Sequence, residues 1–187
     1  MKKQEGEPLA AASVTIPSTE SVSQLFAEHY PRVLLAAHRI TGSMADAEDI
    51  AQSLFLRLAS AERPIDNIGS YLHRAAINGA LDVLRRRKSA ATEPLDQADH
   101  IAVSWRSSPE SEVSSRQLGD ALRIAISELA PKAAEMFALR YFEELGNKEI
   151  AALMETSQTV VAVTLHNTRS RLKKRLLEMD GKINETR

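Results

Sequence analysis

Cysteine is absent from this chain of 187 residues, which excludes a disulfide scaffold, cysteine-bound zinc and thiol catalysis and fits a reducing cytoplasm. Glycine is sparse, and its 7 occurrences are too scattered to build a dinucleotide or phosphate loop. Long apolar runs are missing as well, and none approaches the length of a membrane span. Met1-Lys2-Lys3 is followed by Glu5, Glu7 and Pro8, and Leu9 to Val14 is too short and too small for a signal segment, so a cytoplasmic chain with no membrane insertion of its own is expected. The formal net charge is only −1, so any attraction to nucleic acid must come from local clusters rather than from the whole molecule. No G-x-S-x-G is present, and His29, His38, His73, His100 and His166 form no H-E-x-x-H or other ligand pair. Asp46, Glu48 and Asp49 could bind a cation in principle, but a helix N-terminus explains them more simply. Neither catalysis nor a cofactor or metal is expected.

What is present is helical periodicity, supported by a hydrophobic fraction of 43% that is enough to bury cores. No alternating strand pattern, internal repeat or low-complexity tract interrupts it, so the fold class is all-α. The spacing predicts two small helical domains joined by a flexible linker. Residues 1–20 form an arm without an apolar face. In residues 21–88, Val22, Leu25, Phe26, Tyr30, Val33, Leu34 and Ala37 line a first helix that Gly42 can end in a left-handed cap. Ser43 caps a second helix with Ala47, Ile50, Ala51, Leu54 and Leu58 inward. A third helix runs from about Ile68 to Lys88 and finishes in Arg85-Arg86-Arg87-Lys88. Residues 89–112 are a linker of small polar residues and prolines. Residues 113–178 resume the period, with Leu118, Leu122, Ala125, Ile126 and Leu129 on one face and Pro131 opening the next helix. Residues 179–187 are a C-terminal tail.

The end of the second block reads as a helix-turn-helix. Leu145, Ile150, Ala151 and Leu153 give a short helix its apolar face, Glu155-Thr156-Ser157 makes the turn, and Val160, Val161 and Leu165 return apolar groups at helical spacing. Gln158, Thr159, Thr164 and Asn167 then lie on the other side, and Arg169, Arg171, Lys173, Lys174 and Arg175 add positive charge, the residue types that reach base edges and phosphates. An ordinary helical hairpin with a solvated basic end has the same pattern.

Two basic-ended helical blocks in this order resemble the extracytoplasmic-function (ECF) sigma factors of the sigma-70 family. The resemblance rests on LFAEHYPRVLLAAHRITGS, DAEDIAQSLFLRL and SYLHRAAINGALDVLRRRK in the first block, and on LAPKAAEMFALRYFEEL, NKEIAALMETS and VVAVTLHNTRSRLKKRL in the second. It implies a region-two domain, a linker and a region-four domain that direct core RNA polymerase to promoter DNA. Asp49, Gln52 and Phe55 would then dock on the polymerase clamp helices, through a polar, orientation-fixing contact. Arg63, Asn67, Tyr71, Arg74, Asn78, Arg85, Arg86 and Arg87 would hold the melted minus-ten element, where ring stacking and amide hydrogen bonds take the bases and cations take the backbone. Asp82 is structural. Ser157, Gln158, Thr159, Thr164, His166, Arg169 and Arg171 would read the minus-thirty-five duplex. The resemblance also implies an anti-sigma factor as a partner, and IDNIGSYLHRAAIN is similar to the iron-uptake branch.

Local explanations stand beside these. Asp46, Glu48 and Asp49 complement a helix dipole, an arginine run favours a helix C-terminus, and Tyr71 can pack on Leu72. The chain also departs from the family pattern. Glu155 stands where the turn usually has glycine and needs a left-handed backbone or an altered turn. Gly146 stands where serine usually caps, so Glu149 loses its capping-box partner. Ala162 and Val163 replace basic or hydroxyl residues, and Ser53 replaces a carboxylate. The alternative from another class is a stand-alone helix-turn-helix DNA-binding regulator whose first block dimerises or senses.

Overall fold

The computed structural model describes residues 19–60, 67–92 and 109–185. These residues form α1 Thr19–Thr41, α2 Met44–Ala59, α3 Ile68–Thr92, α4 Pro109–Ser127, α5 Pro131–Tyr141, α6 Asn147–Leu153 and α7 Gln158–Glu185. The described residues are thus all helix and turn, in agreement with the all-α reading. Helical structure enters both ends of the expected linker and most of the expected C-terminal tail. The rest of that linker and nearly all of the expected N-terminal arm lie outside the described residues, as does Arg63.

The first bundle packs α1, α2 and α3 around Val33, Ile40, Leu54, Leu58, Leu72, Ile77 and Leu81. Ala37, Ala47, Ala51, Ala76 and Ala80 are buried among them, and such small residues let helix axes approach closely. Gly42 ends α1 at φ +69 and its N–H donates to the His38 carbonyl at 2.8 Å, the expected left-handed cap. Ser43 then caps α2 through the Asp46 N–H at 3.3 Å.

The second bundle packs α4 to α7 around Ile126, Leu129, Ala134, Met136, Leu139, Ile150, Val161, Leu165 and Leu172. Pro131 is the first residue of α5, where its missing N–H costs nothing. Leu118 corrects the sequence reading: it is 60% exposed, not inward. With Tyr141, Leu177 and other residues of α4, α5 and α7 it lines an open apolar groove. Val160 is also exposed rather than inward, leaving Val161 to plug the core alone at that turn.

The two bundles touch. α3 lies against α4 and α5, the buried apolar residues of both bundles form one continuous cluster, and polar contacts also cross this boundary. Arg123 on α4 donates from Nε to the Ile40 carbonyl at 3.2 Å, with its guanidinium laid over Gly42 where a Cβ would collide with it. Lys88 on α3 pairs with Glu128 at 3.2 Å.

Candidate nucleic-acid interface

α2 presents Asp49 and Gln52 to solvent on the side away from its buried residues. Phe55 does not join them. It is 5% exposed, with its ring 4.8 Å from that of Phe26 and 6.1 Å from that of Tyr30. The exposed apolar residue beside Gln52 is Leu56, which is 70% exposed. Phe55 therefore acts as core, and Leu56 is the apolar member of the surface. Helical spacing separates the two, because Leu56 follows Gln52 by one turn whereas Phe55 follows Ala51. Asp49, Gln52, Ser53, Leu56 and Arg86 line a groove between α2 and α3.

The same groove takes in the arginine run. Arg85 Nη1 donates to Asp82 at 2.6 Å, consistent with a structural Asp82, while Arg85 Nη2 is buried without a partner. Arg86 is exposed, and Arg87 pairs with Asp46 and reaches the Thr41 carbonyl. The run does not close its helix: α3 continues to Thr92 and has no basic residue in its last turn. Helix-dipole complementation, which fades beyond the final turn, does not account for these charges.

Nearer the start of α3, Asn67 caps the helix by accepting the Ser70 N–H at 2.9 Å, so its carbonyl is engaged while the side chain stays exposed. Tyr71 is exposed, not buried against Leu72. Arg74 and Asn78 are drawn inward to the second bundle. Arg74 Nε donates to Glu135 Oε1 at 2.8 Å and its Nη1 to the Leu153 carbonyl at 3.0 Å, and Asn78 Nδ2 donates to Glu135 Oε1 at 3.3 Å. Next to them, His73 Nδ1 faces Arg32 Nη2 at 3.3 Å. A guanidinium can only donate, so this imidazole accepts at Nδ1 and donates from Nε2 to Glu143 Oε2 at 2.8 Å. Burial raises the Glu143 carboxyl, but the hydrogen bond from His73 and the nearby Arg39 guanidinium outweigh it and hold the carboxyl below its ordinary range. Glu135 and Glu143 carry no signal in the sequence; only the docking of the bundles reveals them.

The helix-turn-helix is formed by α6 and α7. Glu149 accepts the Gly146 N–H at 2.6 Å, so it keeps its half of the capping box; the reciprocal bond is missing because glycine has no side chain. α6 ends in a Schellman turn, with Thr156 N–H donating to the Ala151 carbonyl at 2.9 Å and Glu155 N–H to that of Ala152 at 3.4 Å. Glu155 sits at the left-handed position of that turn, at φ 51. Ser157 then caps α7 by accepting the Val160 N–H at 3.2 Å.

α7 buries Val161, Leu165, Thr168 and Leu172 and turns Gln158, Thr159, Val163, His166 and Arg169 outward, the contiguous stripe expected of a helix with one packed face. Thr164 and Arg171 fall on its flank. Thr164 is half-buried, and Arg171 Nη2 donates to the Glu128 carbonyl at 3.3 Å. Glu128 also accepts two hydrogen bonds from Arg175, at 2.8 and 2.9 Å. These bonds, opposed by burial and aided by Lys88, hold the Glu128 carboxyl below its ordinary range.

This arrangement of an acidic-faced helix, an arginine-bearing helix and a terminal helix-turn-helix agrees with comparison to known proteins. The Sigma-70 region 2 family matches residues 25–90, and Sigma-70, region 4 matches residues 119–172. The RNA polymerase sigma-E factor of Streptomyces antibioticus is 30% identical over 138 residues, covering 72% of this chain and 73% of that protein. ECF RNA polymerase sigma factor SigE of Mycolicibacterium smegmatis is 29% identical over 158 residues, and the match covers 82% of this chain but only 60% of that longer relative. Among solved structures, CnrH in complex with the cytosolic domain of CnrY shares the fold, with a TM-score of 0.52 at 20% identity over 91% of this chain and 96% of that one.

The chain belongs to the sigma-70 family of RNA polymerase sigma factors, within its ECF group. The matches do not single out the iron-uptake branch. The first bundle is itself a region-two match, so the stand-alone regulator is not favoured. Among the described residues no helix is long and apolar enough to cross a membrane.

Proposed function

We propose that this chain binds core RNA polymerase through the Asp49, Gln52 and Leu56 surface of α2, holds the melted minus-ten element with α3, and reads the minus-thirty-five duplex with the outward stripe of α7. The observation that carries the reading is the pairing of two family matches in order with a capped α7 whose polar residues are free of the core. Gln158 and Thr159 stand in the first turn of that helix, where a major-groove helix addresses base edges. Ser157 and the helix N-terminus beside it suit a phosphate. The exposed Arg86 and the part-exposed Arg85 beside it suit the DNA backbone near the start of melting. No bond-making step is assigned to the chain. It acts in the cytoplasm, where its polymerase is.

An inhibitory protein is the second partner proposed. A polar α2 surface and a promoter-reading α7 are both blocked by any protein that covers them, and an anti-sigma factor is a partner of that kind. Run-off transcription with purified core polymerase tests the main reading. Discrete start sites should appear on fragments of a genomic promoter library only when the chain is added. No start site on any fragment would reject it.

A further inference from the structure

The outward face of α7 has an apolar centre. Val163 is 55% exposed, and it lies two residues from each of Val161 and Leu165, which are core; that spacing places it about 160° around the helix from both. Thr159 precedes it by one turn and His166 follows one turn later, so Val163 stands in the middle of the polar stripe, with Ala162 exposed beside it. It does not line the apolar groove of α4, α5 and α7. A single exposed apolar side chain needs no explanation on most surfaces, but this one sits in the second turn of the helix assigned to the major groove. The Schellman turn and the Ser157 cap fix the start of α7. A β-branched side chain in a helix is held largely to one rotamer, so the two methyl groups of Val163 face outward in a set position and little entropy is lost when they meet a surface.

We propose that Val163, flanked by Ala162, reads a thymine of the minus-thirty-five element by packing on its 5-methyl group. The inference rests on the assignment of α7 to that duplex. In the major groove thymine alone presents a methyl group, beside its O4 acceptor, and an apolar side chain is the group that matches it. A cytosine at the same place would set its N4 amino group against valine, losing water without gaining a partner, and the polar edge of a purine would fare the same. Ala162 and Val163, where basic or hydroxyl residues are usual, therefore change which base is read rather than abolish reading. Thr159 and His166, on either side along the helix, keep polar groups for the neighbouring base pairs.

Deoxyuracil in place of thymine removes this methyl group and nothing else, so it tests the contact on holoenzyme reconstituted from core polymerase and the full chain. On a promoter mapped by run-off transcription, each thymine of the minus-thirty-five element, on either strand, is replaced in turn and holoenzyme binding is measured by competition. One replacement should weaken binding about fourfold, the equivalent of one buried methyl group. Val163→Ala should bind the thymine and deoxyuracil promoters equally, and because Val163 is exposed its truncation leaves the core intact. Val160→Ala, also exposed but on the flank of the helix, should keep the fourfold difference. The absence of any sensitive thymine overturns the proposal, and so does a deoxyuracil penalty that persists in Val163→Ala or disappears in Val160→Ala. Scrambling the whole element is the control for the reading of α7 itself. Holoenzyme indifferent to the scramble rejects that reading and the methyl contact with it, whereas holoenzyme that needs the element but ignores its methyl groups overturns the contact alone.

Discussion

Replacing Glu155 with glycine should stabilise the protein, although Glu155 stands in the middle of the helix-turn-helix. Its backbone is left-handed, at φ 51, and the two hydrogen bonds of the Schellman turn keep it there. For an L-residue this conformation brings Cβ against the following carbonyl, at a cost of about 1–2 kcal/mol. Glycine removes that cost but gives up about 0.5–1 kcal/mol through the greater freedom of its unfolded chain. The side chain is exposed, so little packing is lost. The net expectation is a gain of roughly 0.5–1 kcal/mol, or a rise of about 1–4 °C in midpoint for a chain of this size. Glu155→Ala is the control, since alanine keeps the Cβ and should not gain. Thermal unfolding followed by circular dichroism, with both variants beside the parent, reads the difference. A midpoint for Glu155→Gly equal to or below that of Glu155→Ala would refute the claim that backbone strain resides in this turn.

Other consequences concern the surfaces. Asp49→Ala with Gln52→Ala should weaken core binding in a competition assay while helicity is retained, and Leu56→Ala should do the same although Leu56 is not core. Changing Gln158 or Thr159 should alter preference at one or two upstream base pairs by about 1–3 kcal/mol, read by promoter-variant selection. Neutralising Arg85, Arg86 and Arg87 should reduce the dependence of open-complex formation on salt, by about one unit of log-log slope for each phosphate that is no longer neutralised. Glu128 supplies a pH dependence of stability. Its folded carboxyl is depressed by Arg175, so its contribution is present above the ordinary carboxylate range and is lost as pH falls through the folded value. Acid titration of thermal stability should be shallower for Glu128→Gln than for the parent; identical curves would remove Glu128 from the linkage.

Helices and their inward faces are legible in the sequence because the apolar period repeats over several turns, as in Ala47, Ile50, Ala51, Leu54 and Leu58. Caps are legible for a similar reason: Gly42, Ser43 and Pro131 each act on backbone groups within a few residues. Glu155 is the instructive case, since the family pattern, in which glycine usually stands in this turn, marks the position that the backbone then holds left-handed at φ 51. Phe55 and Leu118 fail differently. Both are apolar at helical spacing, but which of two adjacent apolar residues goes inward, or whether a groove lies open beside one, depends on the neighbouring helices. Glu135, Glu143 and the engagement of Arg74 are harder still. These pairs join residues 57 to 79 positions apart, and nothing local encodes how two bundles dock.

The most direct test of the central claim is permanganate footprinting on a promoter found by run-off transcription. Thymines around the minus-ten element should become reactive when core polymerase and this chain are both present, and with neither alone. Replacing the charge of Arg85, Arg86 and Arg87 should reduce that reactivity, whereas changes at Gln158 should alter which promoters show it. A promoter that stays unreactive with both components present, or one that core polymerase opens equally well without the chain, would contradict the account.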